Sequence, residues 1–251
     1  MSSMERPVAP APTAAPDRLR WLDLLPPLVF TVLGIILIVA VLVGLSRASH
    51  AFFRANLQTI TLVGALAVYL AFGSGIAVAL RRLRKPVVFL RLRWPTLGDL
   101  GLTLLLLVPW YLGLIMVSLL SALAFNGGRI IPGNSRLVFT QHPNGIGLLL
   151  VALLVTAVAA PVCEEIFFRG MLFRLLESRT ALWLAVLGSA LAFGAAHASP
   201  SVSLALLPTF VYMGVVLALL YVRTGWLTNT ILLHSLNNAV VTIVAFNAAT
   251  R

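Results

Sequence analysis

The chain has 251 residues, 60% of them hydrophobic and only 10% charged, with Lys+Arg 18 against Asp+Glu 7 and a formal net charge of +11. Soluble domains carry about 25% charged residues, so this composition excludes a water-soluble globular domain and marks an all-α, polytopic helical membrane protein. The basic residues gather in loops between apolar runs. That pattern reads as a topological signal with the lipid bilayer as partner, and not as a nucleic-acid surface.

The stretch "MSSMERPVAPAPTAAPDRLR" is Pro- and Ala-rich and lacks an apolar centre. It reads as a disordered tail over residues 1–22, not as a signal peptide. Residues 23–251 then form a single membrane domain. A crossing needs roughly 20 apolar residues, and about seven transmembrane helices are expected: Pro26–Leu45, Leu57–Leu80, Asp99–Ala124, a fourth from Gly145, Ala181–Ala198, Ser203–Val222 and Leu227–Phe246. The loop "FNGGRIIPGNSR", Phe125 to Arg136, is turn-rich. Trp21, Trp94, Trp183 and Trp226 fall near span ends, as interfacial belts do. The run Arg81 to Lys85 reads as a charge anchor at the headgroups. The single cysteine, Cys163, excludes a disulfide framework and reads as a small packing residue.

Sorting the basic residues by side gives an orientation. Arg6, Arg18 and Arg20, the six between the second and third spans (Arg81, Arg82, Arg84, Lys85, Arg91, Arg93), then Arg169, Arg174, Arg179 and Arg223 make thirteen on one side. Arg47, Arg54, Arg129, Arg136 and Arg251 make five on the other. The excess puts the N-terminus in the cytoplasm of an integral membrane protein, in the plasma membrane if the source is prokaryotic.

Three charges interrupt the fourth span in "CEEIFFRG", Cys163 to Gly170. A charge at the bilayer centre costs about 2.5–3.5 kcal/mol, so it marks a functional site by default. Glu165 and Arg169 are four apart with the acid first, the favoured orientation for a helical ion pair. Glu164 is turned about 100° from Glu165 and stays free for chemistry. "FGAAH" ends on His197, and "HSLNN" sets His234 and Asn238 four apart on one helix face, with Asn237 near it. The midpoint between Glu164 and His197 falls between Thr180 and Ala181, just after the polar stretch "LESRT", so a hairpin turning there brings them to equal depth. His234, only a turn or two into its helix, matches that depth if the sixth helix bends or the seventh starts deep. His50 and His142 lie in expected loops and read as solvated.

"EEIFFR", "FGAAH" and "HSLNN" resemble the Glu-Glu-x-x-x-Arg, Phe-x-x-x-His and His-x-x-x-Asn motifs of the CAAX protease and bacteriocin-processing family of intramembrane proteases. They occur in the family's order over roughly residues 145–246. The resemblance implies an intramembrane endopeptidase acting on a peptide or membrane-protein substrate. By position, Glu164 matches the catalytic glutamate that activates water. Glu165 and Arg169 match its supporting pair, His197 and His234 the two catalytic histidines, and Asn238 the group that stabilises the oxyanion.

The chemistry of the residues is consistent with this. Peptide hydrolysis needs a base for water and donors for the oxyanion. Two histidines and a glutamate also make a catalytic zinc set, so if a metal is present its ligands are Glu164, His197 and His234. A water held by Glu164 and the histidines, with zinc optional, is the preferred reading. Two other classes fit less of the sequence. One is a proton-coupled transporter, although there is no inverted repeat. The other is a non-catalytic scaffold or immunity protein in which the polar cluster only ties helices together.

Overall fold

The structure is a computed structural model and describes residues 19–83, 86–129, 145–198 and 204–250. Every regular element among them is helical. A turn of 3-10 helix at Trp21–Leu24 leads into α1 (Leu25–Ala48), followed by α2 (His50–Ala55), α3 (Leu57–Leu80), α4 (Pro86–Phe89) and α5 (Leu97–Phe125). A composite helix, α6, covers Gly145–Glu177. Then come α7 (Leu182–Ala196), a 3-10 turn at Leu204–Leu206, α8 (Leu207–Thr224) and α9 (Leu227–Ala249). Six of these helices are long and apolar enough to cross a membrane. The chain is a polytopic integral membrane protein.

The fifth expected span differs from the other six. It forms α7, which has 15 residues and is therefore about 22 Å long, short of a hydrocarbon core about 30 Å thick. His197 is its C-terminal cap. The polar stretch before it makes the expected turn, with Ser178, Arg179 and Thr180 closing back on Arg174 and Leu176.

Helices α1 and α3 pack closely because small residues line their contact. A Cβ on Gly75 would stand 2.6 Å from the Pro26 carbonyl oxygen, and one on Gly34 would stand 2.9 Å from the Ala71 Cβ. This is the close approach that membrane helix pairs gain from small residues. Leu19 and Asp23 are buried beside this pair, and Asp23 meets Arg82 at 3.3 Å. Of the tail expected to be disordered over residues 1–22, residues 1–18 lie outside the described residues, as do Arg84, Lys85, His142 and most of the Phe125 to Arg136 loop, while Leu19 is buried and Trp21 and Leu22 begin the 3-10 turn. Trp21, Trp94, Trp183 and Trp226 are exposed, whereas Trp110 is buried in the core.

The start of α9 explains how His234 reaches the depth of the other groups. His197 lies 15 residues beyond Leu182, about 22 Å, and His234 lies seven beyond Leu227, about 10 Å. The turn before α7 therefore projects past the start of α9, and the segment after α3 packs around the projection. Leu90 closes on Gly170, and the Arg174 guanidinium caps the Phe89 ring and reaches the Phe89 carbonyl. The first turn of a helix leaves backbone N–H groups without partners. Here the Leu227 N–H donates to the Arg91 carbonyl (3.1 Å), and the Thr228 hydroxyl donates to the Arg93 carbonyl (2.7 Å). Asp99, in the capping box that opens α5, accepts from Arg93 (2.7 Å) and Asn229 (2.9 Å). Gly225 makes the turn between α8 and α9 in the left-handed region, at φ 72, where a side chain is disfavoured.

Candidate active site

The site begins with a proline. Pro161 has no N–H to give to the preceding turn, and its ring crowds the carbonyl beneath it. The helix widens in the turn before this proline, where Leu154–Ala159 is π-helical; Ala160–Glu165 is α-helical, and Ile166–Phe173 is π-helical again. Such bulges frequently mark functional sites. Glu164 and Glu165 sit on the narrow α-helical turn between the two wide ones.

Glu165 and Arg169 form the expected pair. Arg169 Nη1 donates to Glu165 Oε1 at 2.6 Å, and both side chains are fully buried. The guanidinium also donates to the Gly214 carbonyl (3.1 Å) and lies 4.6 Å from the Phe193 ring centroid. Gly214 permits this because α8 runs against α7 so closely that a Cβ there would be 2.7 Å from the Ala190 Cα.

Both histidines point the same nitrogen inward. The Phe193 carbonyl is 2.8 Å from His197 Nδ1. A carbonyl can only accept, so Nδ1 carries the proton and Nε2 presents a lone pair. His234 Nδ1 is 3.0 Å from Glu165 Oε1, which assigns its proton in the same way. The imidazoles are held by rings: His197 stacks on Phe210 at 4.3 Å and tilts on Phe193 at 4.6 Å, and Phe193 also meets His234 edge-on at 5.8 Å. Each Nε2 then stands 3.9 Å from Glu164 Oε2. That oxygen is buried and has no hydrogen-bond partner. Three lone-pair atoms thus face one small space.

The structure does not bring Asn238 into hydrogen-bonding contact with Glu164 or either histidine. Asn238 Nδ2 donates to the Thr156 carbonyl (2.8 Å), the acceptor that the missing N–H of Pro161 would have served in the π-helical register. The Asn238 carboxamide oxygen accepts from Asn237 (3.0 Å), and Asn237 accepts from the indole of Trp110 (2.9 Å). One hydrogen on Asn238 Nδ2 remains for another acceptor.

Residues 146–240 match the family model described as type II CAAX prenyl endopeptidase, Rce1-like. The chain carries an Rce1-like CAAX endopeptidase-family domain. All three motifs, from Glu164 to Asn238, lie inside it. An uncharacterized 24.3 kDa protein of Escherichia coli is 28% identical over 129 residues, which are 51% of this chain and 59% of that protein. The chain therefore spans little more than half the length of that curated relative. No solved structure matches it.

Two groups that touch the site come from outside the Rce1-like domain. Trp110 of α5 orients the Asn237–Asn238 pair, and Tyr69 of α3 donates to Glu164 Oε1 at 2.6 Å. Neither emerges from motif spacing. A signal for Tyr69 was present, however. Membrane tyrosines favour the interfaces, and Tyr69 is the 13th of 24 residues in its span. Thr156 could not be found this way, because only the widened helix exposes its carbonyl.

The zinc set can be tested against these distances. Tetrahedral Zn–N and Zn–O bonds of about 2.0–2.2 Å place neighbouring ligand atoms roughly 3.3–3.5 Å apart, whereas Glu164 Oε2 is 3.9 Å from each histidine nitrogen. Among the described residues no group of three His, Cys, Asp or Glu side chains has metal-holding geometry. One water about 2.8 Å from two atoms 3.9 Å apart sees them at an angle near 90°, an ordinary hydrogen-bonding arrangement. The residues as placed suit a water better than zinc.

Proposed function

We propose that the protein is an intramembrane endopeptidase that hydrolyses a peptide bond with water activated by Glu164. The observation that carries this reading is the partnerless buried oxygen Glu164 Oε2 facing two imidazole lone pairs at 3.9 Å. A water in that space donates one hydrogen to Glu164 Oε2 and the other to His197 Nε2. As its oxygen bonds to the substrate carbonyl carbon, one proton passes to Glu164 and the carbonyl oxygen gains the negative charge. The C–N bond then breaks, and the same proton leaves with the amine.

The oxyanion needs donors. The second hydrogen of Asn238 Nδ2 is one. Glu165 and Arg169 hold His234 and the helix in place, and no step runs through a metal. His197 is the more open of the two histidines, with 23% of its side chain exposed against 2% for His234, so substrate approaches from the His197 side.

The substrate is a peptide segment at or within the bilayer, prenylated or not. The N-terminus is cytoplasmic, on the positive-inside count, and the membrane is the plasma membrane if the source is prokaryotic. The test is cleavage of a membrane-peptide library by the purified full chain in lipid, beside Glu164→Gln and His234→Ala. A fall in cleavage of about 10²-fold or more is expected in both variants. Cleavage within about tenfold of wild type in Glu164→Gln, or no cleavage by the wild type, overturns the proposal.

A further inference from the structure

We propose that Tyr69 is a positioning residue for the reaction, clamping one oxygen of Glu164 so that the other is presented as the base. The inference rests on the protease reading above and adds a part to its machinery from outside the Rce1-like domain. A carboxylate offers two equivalent oxygens, and a base that flips between them holds its water in no single place. Here the two oxygens are made different. Oε1 takes the Tyr69 hydroxyl at 2.6 Å, a short charge-assisted bond of the stronger kind. Oε2 takes nothing from the protein and faces both histidines.

The clamp itself is held in register. The Cys163 thiol, next to Glu164, reaches the Tyr69 carbonyl at 3.6 Å. One turn further along α3, Gly73 leaves room for the same sulfur, which would be 3.4 Å from an added Cβ. Phe72 packs on Phe167 at 5.3 Å. Further still, the Gly75 contact with Pro26 and Pro27 locks α3 to α1. A helix fixed this way cannot slide without moving the phenol off the carboxylate. The role is orientation: Tyr69 touches neither the water space nor the histidines, and it acts through Glu164. This gives α3 a task in the chemistry that its apolar sequence does not advertise.

The test uses the full chain in lipid vesicles and a peptide that the wild type cleaves, with Tyr69→Phe made alone and in the Glu164→Gln background. A misplaced catalytic group costs about 10- to 100-fold. Tyr69→Phe is therefore expected to lower kcat by about that factor, with KM within about twofold. In the Glu164→Gln background the same change should leave the residual rate within about twofold, because there is no base left to position. A site-specific fluorotyrosine in place of Tyr69, which keeps size and donor but alters the acidity of the phenol, should change kcat and not KM. It also gives the reading if Tyr69→Phe fails to fold. Wild-type kcat in Tyr69→Phe, a loss confined to KM, an equal loss with and without Glu164, or a fluorotyrosine with unchanged kcat each overturns the inference. A wild type that cleaves nothing overturns the protease reading instead, and the positioning role with it.

Discussion

Replacing Arg169 with Met tests the buried centre of the site most directly. The Arg169–Glu165 pair is 2.6 Å long with both side chains at 0% exposure. Exposed pairs contribute about 0–1 kcal/mol. Breaking a buried pair from one side costs about 3–5 kcal/mol, because the remaining charge has lost its partner without regaining water. Met keeps most of the length and apolar bulk of the arginine stem. The loss is then mainly the charge, the bond to the Gly214 carbonyl and the stacking on Phe193. Glu165 retains one partner, the His234 Nδ1 at 3.0 Å, which argues for the lower half of the range, about 3–4 kcal/mol. At about 2–4 °C per kcal/mol for a chain of this size, that is a fall in Tm of about 10 °C. The assay is equilibrium unfolding in mixed micelles, followed by tryptophan fluorescence. Glu165→Gln/Arg169→Met should be more stable than Arg169→Met alone, because the orphaned charge is gone. A single variant within about 1 kcal/mol of wild type, or a double variant less stable than the single, would refute the reasoning that the pair is a desolvated structural unit.

Three further outcomes follow from the same geometry. Glu164→Gln keeps an acceptor for the Tyr69 hydroxyl but cannot take a proton, so kcat should fall about 10²- to 10⁴-fold while the unfolding midpoint stays near wild type; both are read on one preparation. Exhaustive chelation of the purified protein should leave cleavage largely intact, as judged by rate before and after dialysis; loss restored by added zinc would show that the site closes by several tenths of an ångström onto a metal. Pro161→Ala returns an N–H that competes with Asn238 for the Thr156 carbonyl and narrows the bulge. A loss in kcat of about 10-fold or more is expected, because small displacements of reacting groups are costly, and wild-type kinetics would mean that the π-helical register is incidental.

Much of the site was legible in the chain because its signals are local. A carboxylate and an arginine four apart must share a helix face, and Glu165 and Arg169 meet where that periodicity puts them. That Glu164 and His197 lie equally far along the chain from the point between Thr180 and Ala181 is likewise a matter of counting, and Glu164 Oε2 stands 3.9 Å from His197 Nε2. Glu164, His197 and His234 stand out as chemistry-bearing in the sequence because charge and imidazole are expensive in hydrocarbon.

Other features depended on contacts between elements far apart in sequence. The depth of His234 is set by the packing of residues 86–93 around the start of α9, which makes this helix begin deep. The task of Tyr69 depends on α3 lying against Cys163, 94 residues away. Asn238 illustrates the division most clearly. Its helix face could be read from spacing, but its partner is a carbonyl freed by a proline in another helix, 82 residues away. Sequence alone determined which side chains could not be left bare in a membrane, because transfer free energy belongs to each residue. Tertiary structure decided which backbone and hydroxyl groups satisfy them, because helix packing selects those partners and periodicity within one helix does not encode them.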